Sequence, residues 1–401
     1  MAQSFPVPRT CPFAPPPEYE AMREQAPLVR ASLPGGEVWL VTRLAEAKQV
    51  LMGAGISTSP ATPGHPNTAL SAEPLSPEHA EAAKRVSPGA FIDLDPPEHT
   101  RFRRLLIPEF TVRRMKELRP GIQQVAGRLI DDMLADGRRE AELVEAFGLA
   151  LPSLVICRLL GVPYADHEFF QSRTRRMVTA GTDRQAGFAA VMEIRSFLGD
   201  LVTEAAKQPK DDLLGRLITG GRLTHDELVG VVFLLLVAGH ETTANMIPLA
   251  ALTLMRHPGQ LAALRENPEG WPAAVDELLR YHSVVDWVGF DRVATEDQEI
   301  GGQLVRKGEG IFVLGASANR DERAFERPDE FDTGRGARHH VAFGYGVHQC
   351  LGQNLARAEL EIALRTLFER IPALQVTVAD EDLPAKYDGV IFGLTALPVA
   401  W

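Results

Sequence analysis

The chain has 401 residues, of which 45% are hydrophobic and 24% charged, with a formal net charge of −11 at neutral pH. That balance excludes a general nucleic-acid binder, which needs a basic surface, and no run approaches the roughly 18 consecutive apolar residues of a membrane span. The cysteines at positions 11, 157 and 350 are too few for a disulfide framework, and Met1–Pro17 lacks a basic-then-apolar signal pattern, so a cytoplasmic protein is expected.

Helical periodicity dominates and the strands are short. With neither repeats nor a linker, residues 1–401 are expected to form one mainly α-helical domain with small β-sheets. Pro17–Ala26 reads as a first helix, Leu28–Leu33 with Val38–Thr42 as a hairpin about Pro34-Gly35-Gly36, and Leu44–Met52 as a second helix. Residues 53–97 are rich in Pro, Gly, Ser and Ala without a sustained period, the kind of long irregular stretch that is usually functional or mobile. Helices are expected over 98–107, 113–135, 140–160, 164–180, 184–206, 224–256, 258–266 and 271–281. Short strands follow at Asp291–Ala294, Glu299–Ile300, Gln303–Val305 and Gly310–Leu314. The last helix spans Gln353–Arg370, and Leu374–Val378 with Ile391–Leu397 read as a closing hairpin.

Along this pattern, particular segments carry chemistry. Asp95-Pro96-Pro97-Glu98 starts a helix after paired prolines, and His99 and Arg103, four residues apart, share a face suited to gripping a carboxylate. Thr224-His225-Asp226-Glu227 has the Thr-x-x-Glu form of a capping box. The helix it opens runs some 30 residues, roughly 45 Å. Its middle, Ala238-Gly239-His240-Glu241-Thr242-Thr243, is a poor helix interior: glycine costs about 1 kcal/mol against alanine and threonines compete for backbone carbonyls. Rules broken in mid-core usually mark a functional site. Ala238 and Thr242 lie on one face, with Glu241 turned about 100° away, and Pro248 falls in the same helix where it removes a backbone bond.

Glu277-Leu278-Leu279-Arg280 places an acid and a base three residues apart on a helix, where they can pair. Finally, Phe343-Gly344-Tyr345-Gly346-Val347-His348-Gln349-Cys350-Leu351-Gly352 holds a single cysteine in a glycine-rich loop before a helix. Glycines let the backbone turn tightly and approach a flat ligand. The helix start favours a thiolate, and a thiolate under a planar cofactor is how haem iron acquires a cysteine ligand. His339, His340, His348 and Cys350 cluster, but the second cysteine pair or His-x3-5-His spacing of a structural zinc site is missing.

The cysteine run resembles the haem-binding loop of the cytochrome P-450 superfamily, read there as Phe-x-x-Gly-x-His/Arg-x-Cys-x-Gly. Ala238–Thr242 resembles the family's Ala/Gly-Gly-x-Asp/Glu-Thr motif, and Glu277–Arg280 its Glu-x-x-Arg, in the expected order and over nearly the whole chain. The likeness is greatest to soluble bacterial members, especially actinobacterial ones. It implies the P-450 fold, with haem b lying between the long central helix and the cysteine loop.

By the same resemblance Cys350 is the axial iron ligand, Thr242 and Glu241 are the alcohol and acid of proton delivery, and His99, Arg103, Arg292 and His348 hold the haem propionates. Glu277 and Arg280 are structural, joined by either Arg335 or His339. Positions facing the substrate fall on Ile92, Leu234, Val237, Ala238, Val288, Phe290 and Ile391, all apolar. The implied reaction inserts one oxygen atom of O2 into a mid-sized or large, mostly apolar molecule such as a polyketide, macrolide, steroid or statin-like compound. With no flavin or ferredoxin domain in the sequence, electrons are expected from a separate ferredoxin and ferredoxin reductase supplied by NADPH or NADH. Arg104, Arg113, Arg114, Lys116 and Arg357 are candidates for the docking patch. A peroxide-using haem-thiolate enzyme and a non-catalytic haem sensor or carrier are the alternatives.

Overall fold

The computed structural model describes residues 3–33, 36–66, 88–163, 166–178, 184–287, 291–386 and 390–401. In chain order these hold β1 (Gln3–Ser4), α1 (Glu18–Gln25), β2 (Leu28–Leu33), β3 (Gly36–Val41), α2 (Leu44–Leu51), β4 (Ile56–Ser57), α3 (Glu98–Leu106) and α4 (Val112–Leu134). There follow β5 (Glu140–Glu142), α5 (Ala150–Leu160), α6 (His167–Val178), α7 (Arg184–Lys207), α8 (Leu213–Gly220), α9 (His225–Arg256), α10 (Pro258–Glu266) and α11 (Trp271–His282). The chain closes with β6 (Arg292–Ala294), β7 (Gln298–Ile300), β8 (Gln303–Val305), β9 (Gly310–Val313), α12 (Gly315–Ala318), α13 (Gln353–Arg370), β10 (Gln375–Val376), β11 (Ala385–Lys386), β12 (Gly393–Leu394) and β13 (Pro398–Ala400).

Two compact units are built from interleaved segments. The first comprises Met1–Leu75, Ile92–His99 and Leu252–Gln353, the second Ser76–Phe91, Thr100–Ala251 and Asn354–Trp401. In the first, six strands pair in the order β1-β2-β3-β9-β6-β4, and the expected hairpin appears as β2 antiparallel to β3 with Leu28 opposite Val41. Leu28, Trp39, Val41, Leu44, Val50, Ile56, Ile311, Val313 and Phe325 close its core. Burying such side chains contributes about 25 cal/mol per Å² of apolar surface.

The second unit is helical. Gln123 of α4 donates to the Thr366 hydroxyl of α13 at 2.8 Å, and Arg119 pairs with Glu361 beside it. The buried Phe147, Leu151, Ile156, Val231, Val232 and Leu236 fill its interior. Gly148 is required there, because a Cβ would lie 2.6 Å from the Pro248 ring of α9. The helix assignment of α9 continues unbroken through that proline.

Some expectations need correcting. Residues 140–142 are a strand, not the start of a helix, because Glu140–Glu142 pairs with β13. The Glu142 carboxylate then accepts from the Val144 and Glu145 amides at 2.9 and 2.7 Å, so helical structure begins only beyond it. α8 has no counterpart among the expected helices; its eight residues are too few to show a period, and Asp212 caps it by accepting from the Gly215 amide at 2.8 Å. The closing hairpin is also different. β10 pairs with β13, while β12 pairs with β11, placing Lys386 opposite Gly393. By length and composition α9 does pass as a membrane span, with a mean hydropathy of 1.4 over 18 residues, but 61% of that window is buried inside the protein, as in a core helix.

Candidate active site

The cysteine loop is set by its own backbone. The Cys350 amide donates to the Phe343 carbonyl at 2.8 Å and the Gly344 amide to Val341 at 2.8 Å. Gly344 and Gly346 take φ of 69° and 71°, a left-handed conformation in which L side chains are strained. At Gly346 an added Cβ would stand 2.3 Å from the Leu51 carbonyl of α2, so both the turn and the close approach demand glycine. All three cysteines are thiols. Burial pushes the Cys157 thiol up to about 12, which keeps it protonated and inert, whereas Cys350 is only half-buried.

Upstream, the buried Glu277–Arg280 pair anchors this loop. Arg280 Nε lies 2.7 Å from Glu277 Oε2 with both side chains fully covered. Arg335 is the third member: its Nε reaches Glu277 Oε1 at 3.0 Å. His339 instead stacks on Phe325 and approaches the Ala324 carbonyl. Arg280 also donates to the Asn319 carbonyl at 2.9 Å, and the Asn319 side chain accepts from the Val341 amide at 2.8 Å, two residues before Phe343. The pair is thereby linked to the loop through one asparagine.

In the same unit the rings of His99 and His348 lie 4.1 Å apart, which brings two of the expected propionate partners together. Arg292 opens β6 and is buried. Burial pulls its guanidinium down to about 10, with Asp291, Asp95 and Asp93 opposing that, so it remains a cation at neutral pH. Burial pushes the Asp291 carboxyl up to about 6. These acids around Arg292 were not among the expected site residues. Ile92 is half-buried in a short helical turn, Phe91–Asp93. Val288 and Phe290 lie outside the described residues.

In the second unit α9 starts with the expected capping box: the Thr224 amide donates to Glu227 at 2.8 Å and the Glu227 amide to the Thr224 hydroxyl at 3.3 Å. Glu227 also pairs with Arg101. Arg103, on α3, is half-buried. Midway along α9, Ala238 is exposed and Leu234, Val237 and Thr242 are half-buried, although Leu235, Leu236, Glu241 and Thr243 around them are buried. An exposed alanine in the middle of a core helix is an opening suited to a ligand. The Thr242 hydroxyl donates to the Ala238 carbonyl at 3.0 Å, and so presents its lone pairs outward.

Glu241 points elsewhere, as its spacing implies. Lys386 Nζ lies 2.8 Å from Glu241 Oε1, and Asn245 Nδ2 donates to Glu241 Oε1 at 3.2 Å and to its carbonyl at 2.7 Å. Burial alone would push the Glu241 carboxyl up, but the Lys386 ammonium and its hydrogen bond, with His240 and Asn245 adding to them, hold it below the usual carboxylate range. Asn245 was legible as a residue one turn after Glu241. Lys386, from a non-periodic segment, had no signal. Ile391 is half-buried on the approach to β12.

In the first unit, a half-buried thiol in a glycine-pinned loop, a histidine pair and a buried arginine thus fit a haem-thiolate group. The cytochrome P450 family model matches residues 271–396. The chain is 48% identical to pentalenic acid synthase of Streptomyces avermitilis, covering 99% of this chain and 97% of that protein. It is 45% identical to vitamin D3 dihydroxylase of Streptomyces griseolus over 100% and 97% of the two. Among solved structures, mycinamicin VIII C21 methyl hydroxylase from Micromonospora griseorubida, bound to mycinamicin VIII, superposes with a TM-score of 0.89 at 39% identity and covers 100% of both chains. The chain belongs to the cytochrome P450 family. It is a bacterial haem-thiolate monooxygenase.

Proposed function

We propose that residues 1–401 act as a single cytoplasmic domain that holds haem b through the Cys350 thiolate and hydroxylates or epoxidises a mid-sized to large, mostly apolar secondary metabolite. The observation that carries this reading is the Cys350 loop, where the amide of the half-buried cysteine is tied back to Phe343 and a left-handed Gly346 packs on α2. The bound haem supplies the oxygen-activating iron. His99, Arg103, Arg292 and His348 hold its propionates, a role supported by the 4.1 Å approach of the His99 and His348 rings and the buried Arg292 cation. The Thr242 hydroxyl, committed as a donor to Ala238, accepts a hydrogen bond from water, and Glu241 passes protons. Two electrons and two protons accompany each O2; one oxygen atom enters the substrate and the other leaves as water.

The substrate is recognised mainly by apolar burial against Ile92, Leu234, Val237, Ala238, Val288, Phe290 and Ile391. The relatives' names carry pentalenic acid, vitamin D3 and mycinamicin VIII, and the expected range is a polyketide, macrolide, steroid or statin-like molecule. Electrons come from NADPH or NADH through a ferredoxin reductase and an acidic ferredoxin. Arg104, Arg113 and Lys116 are exposed and Arg357 half-buried, which suits that partner; Arg114 is already engaged by Glu117 at 2.7 Å. The test is a titration of the haem-loaded protein with macrolides, terpenoid acids and sterols, vitamin D3 and mycinamicin VIII among them. Reconstitution with ferredoxin and its reductase then follows. Ligands that displace water shift the haem spectrum and yield singly oxygenated products; spectral binders that give only hydrogen peroxide would contradict the reading.

A further inference from the structure

A cleft of about 190 Å³ lies between α4, α5 and the start of α8, all within the helical unit. Leu118, Ile122 and Val125 of α4 and Val155 and Leu159 of α5 give it an apolar floor. Drug-sized sites begin at roughly 300 Å³, so this one suits a small molecule. Gly121 keeps it open. That glycine stands beside Pro120 inside α4, which puts the two poorest helix formers next to each other in mid-helix, and rules broken in this way usually mark a functional position. An added Cβ at Gly121 would lie 3.1 Å from Arg158 Nη1 and 3.4 Å from Arg158 Cζ, so the guanidinium spans the gap that the glycine leaves.

Charge decides what the cleft accepts. At its rim Arg114 pairs with Glu117 at 2.7 Å, and Arg216 pairs with Asp211 at 2.6 Å and with Glu109 at 2.6 Å. Asp212 accepts from the Gly215 amide at 2.8 Å. Each acid lining the rim thus has a donor of its own. Arg158 differs: it has no carboxylate or hydrogen-bond partner among the described residues. A planar guanidinium over an apolar floor matches a carboxylate on a short apolar body. The same helix reaches further. A Cβ at Gly239 would lie 2.9 Å from Ile156 Cδ1, so α5 packs tightly on the middle of α9 with one face while another lines the cleft.

We propose that this cleft is an effector site for a small carboxylic acid with a compact apolar chain, such as a short fatty acid. Arg158 binds the carboxylate, the chain lies across Gly121 on the floor of Ile122, Val155 and Leu159, and occupancy holds Ile156 more firmly against Gly239. The acid is not the substrate and no bond in it changes. Its effect on α9 is one of rigidity, read as slower amide exchange.

The experiment titrates the haem-loaded full chain with octanoate by calorimetry, as wild type, Gly121→Leu and Arg158→Gln, and records the haem spectrum at each addition. Amide hydrogen exchange over residues 236–243 is measured with and without octanoate. Gly121→Leu fills the cleft with a better helix former and displaces only the flexible Arg158 side chain, and thermal melting checks that both variants fold. Wild type is expected to bind octanoate without a change in the haem spectrum, and exchange over 236–243 should slow several-fold. Affinity should fall at least about tenfold in each variant, the loss that goes with one charge-assisted contact, and the slowing should vanish with it. Octanoate that alters the haem spectrum and binds Gly121→Leu as well as wild type has entered the haem cavity, which would overturn the cleft site. Absence of binding to wild type, or undiminished affinity in Arg158→Gln, would overturn it too. Binding in the cleft with exchange unchanged over 236–243 would overturn the effector role.

Discussion

Substitutions at Thr242, Gly393 and Glu359 have effects that follow from the immediate surroundings of each residue. Thr242→Ala removes the hydroxyl that donates to Ala238 and costs little stability, since alanine is the better helix former. Spectral substrate binding should persist while NADPH consumption is diverted to hydrogen peroxide; unchanged coupling of electrons to product would make Thr242 a spectator. Gly393→Ala drives a methyl into Asn245, an overpacking that costs about 1–3 kcal/mol. Thermal melting should show this loss, and Asn245→Ala in the same chain should recover most of it; failure to recover would locate the clash elsewhere. Glu359 of α13 is 2% exposed, and its Oε2 has no hydrogen-bond partner among the described residues. Burial pushes its carboxyl well above the ordinary value, so the folded protein keeps it neutral. A folded pKa raised above the unfolded one makes stability fall as pH climbs from the unfolded value, near 4.3, toward the folded one. The slope is at most about 1.4 kcal/mol per pH unit. Glu359→Gln should therefore gain on wild type as pH rises above the unfolded value, measured by melting at each pH; a constant difference would show Glu359 to be charged.

At the scale of elements, legibility followed how local the determinants are. The capping box at Thr224, the length of α9 and the β2–β3 hairpin are written in spacings of a few residues, and the structure bears them out. The strand at Glu140–Glu142 and the pairing of β10 with β13 were hidden, because their partners lie far away in sequence and short strands show no period. The same holds for the candidate site. Glu241 and Thr242 are placed by helical spacing, whereas Asn245 was not among the expected residues and Lys386 enters through tertiary pairing alone. Arg335 rather than His339 completes the Glu277–Arg280 cluster, a choice between loop residues that only the path of the chain decides. Arg280→Ala removes the buried partner of Glu277 Oε2, leaving Arg335 and the Asp332 amide on Oε1, and severs the link to Asn319. Breaking a buried pair costs about 3–5 kcal/mol, so this variant should give mostly unfolded, haem-poor protein. Arg335→Ala leaves the Glu277–Arg280 bonds in place and should retain haem. Equal haem content in the two variants would count against the cluster's role in holding the loop.

For the whole molecule, interleaved segments build two units, one with a six-stranded sheet and the Cys350 loop and one with most of α9. The net charge of −11 places most of the surface on the acidic side. A basic docking patch must therefore be local, and its contribution to ferredoxin binding should fade with added salt as the screening length shortens from about 10 Å at 0.1 M to 3 Å at 1 M. The central claim is that this chain holds haem through Cys350, and the reduced carbon monoxide complex tests it most directly. Wild type, Cys11→Ser and Cys157→Ser should show the strongly red-shifted band of a thiolate-ligated haem, and Cys350→Ala should lack it while keeping its helical circular dichroism. A thiolate band that survives in Cys350→Ala, or is lost in Cys157→Ser, would contradict the account.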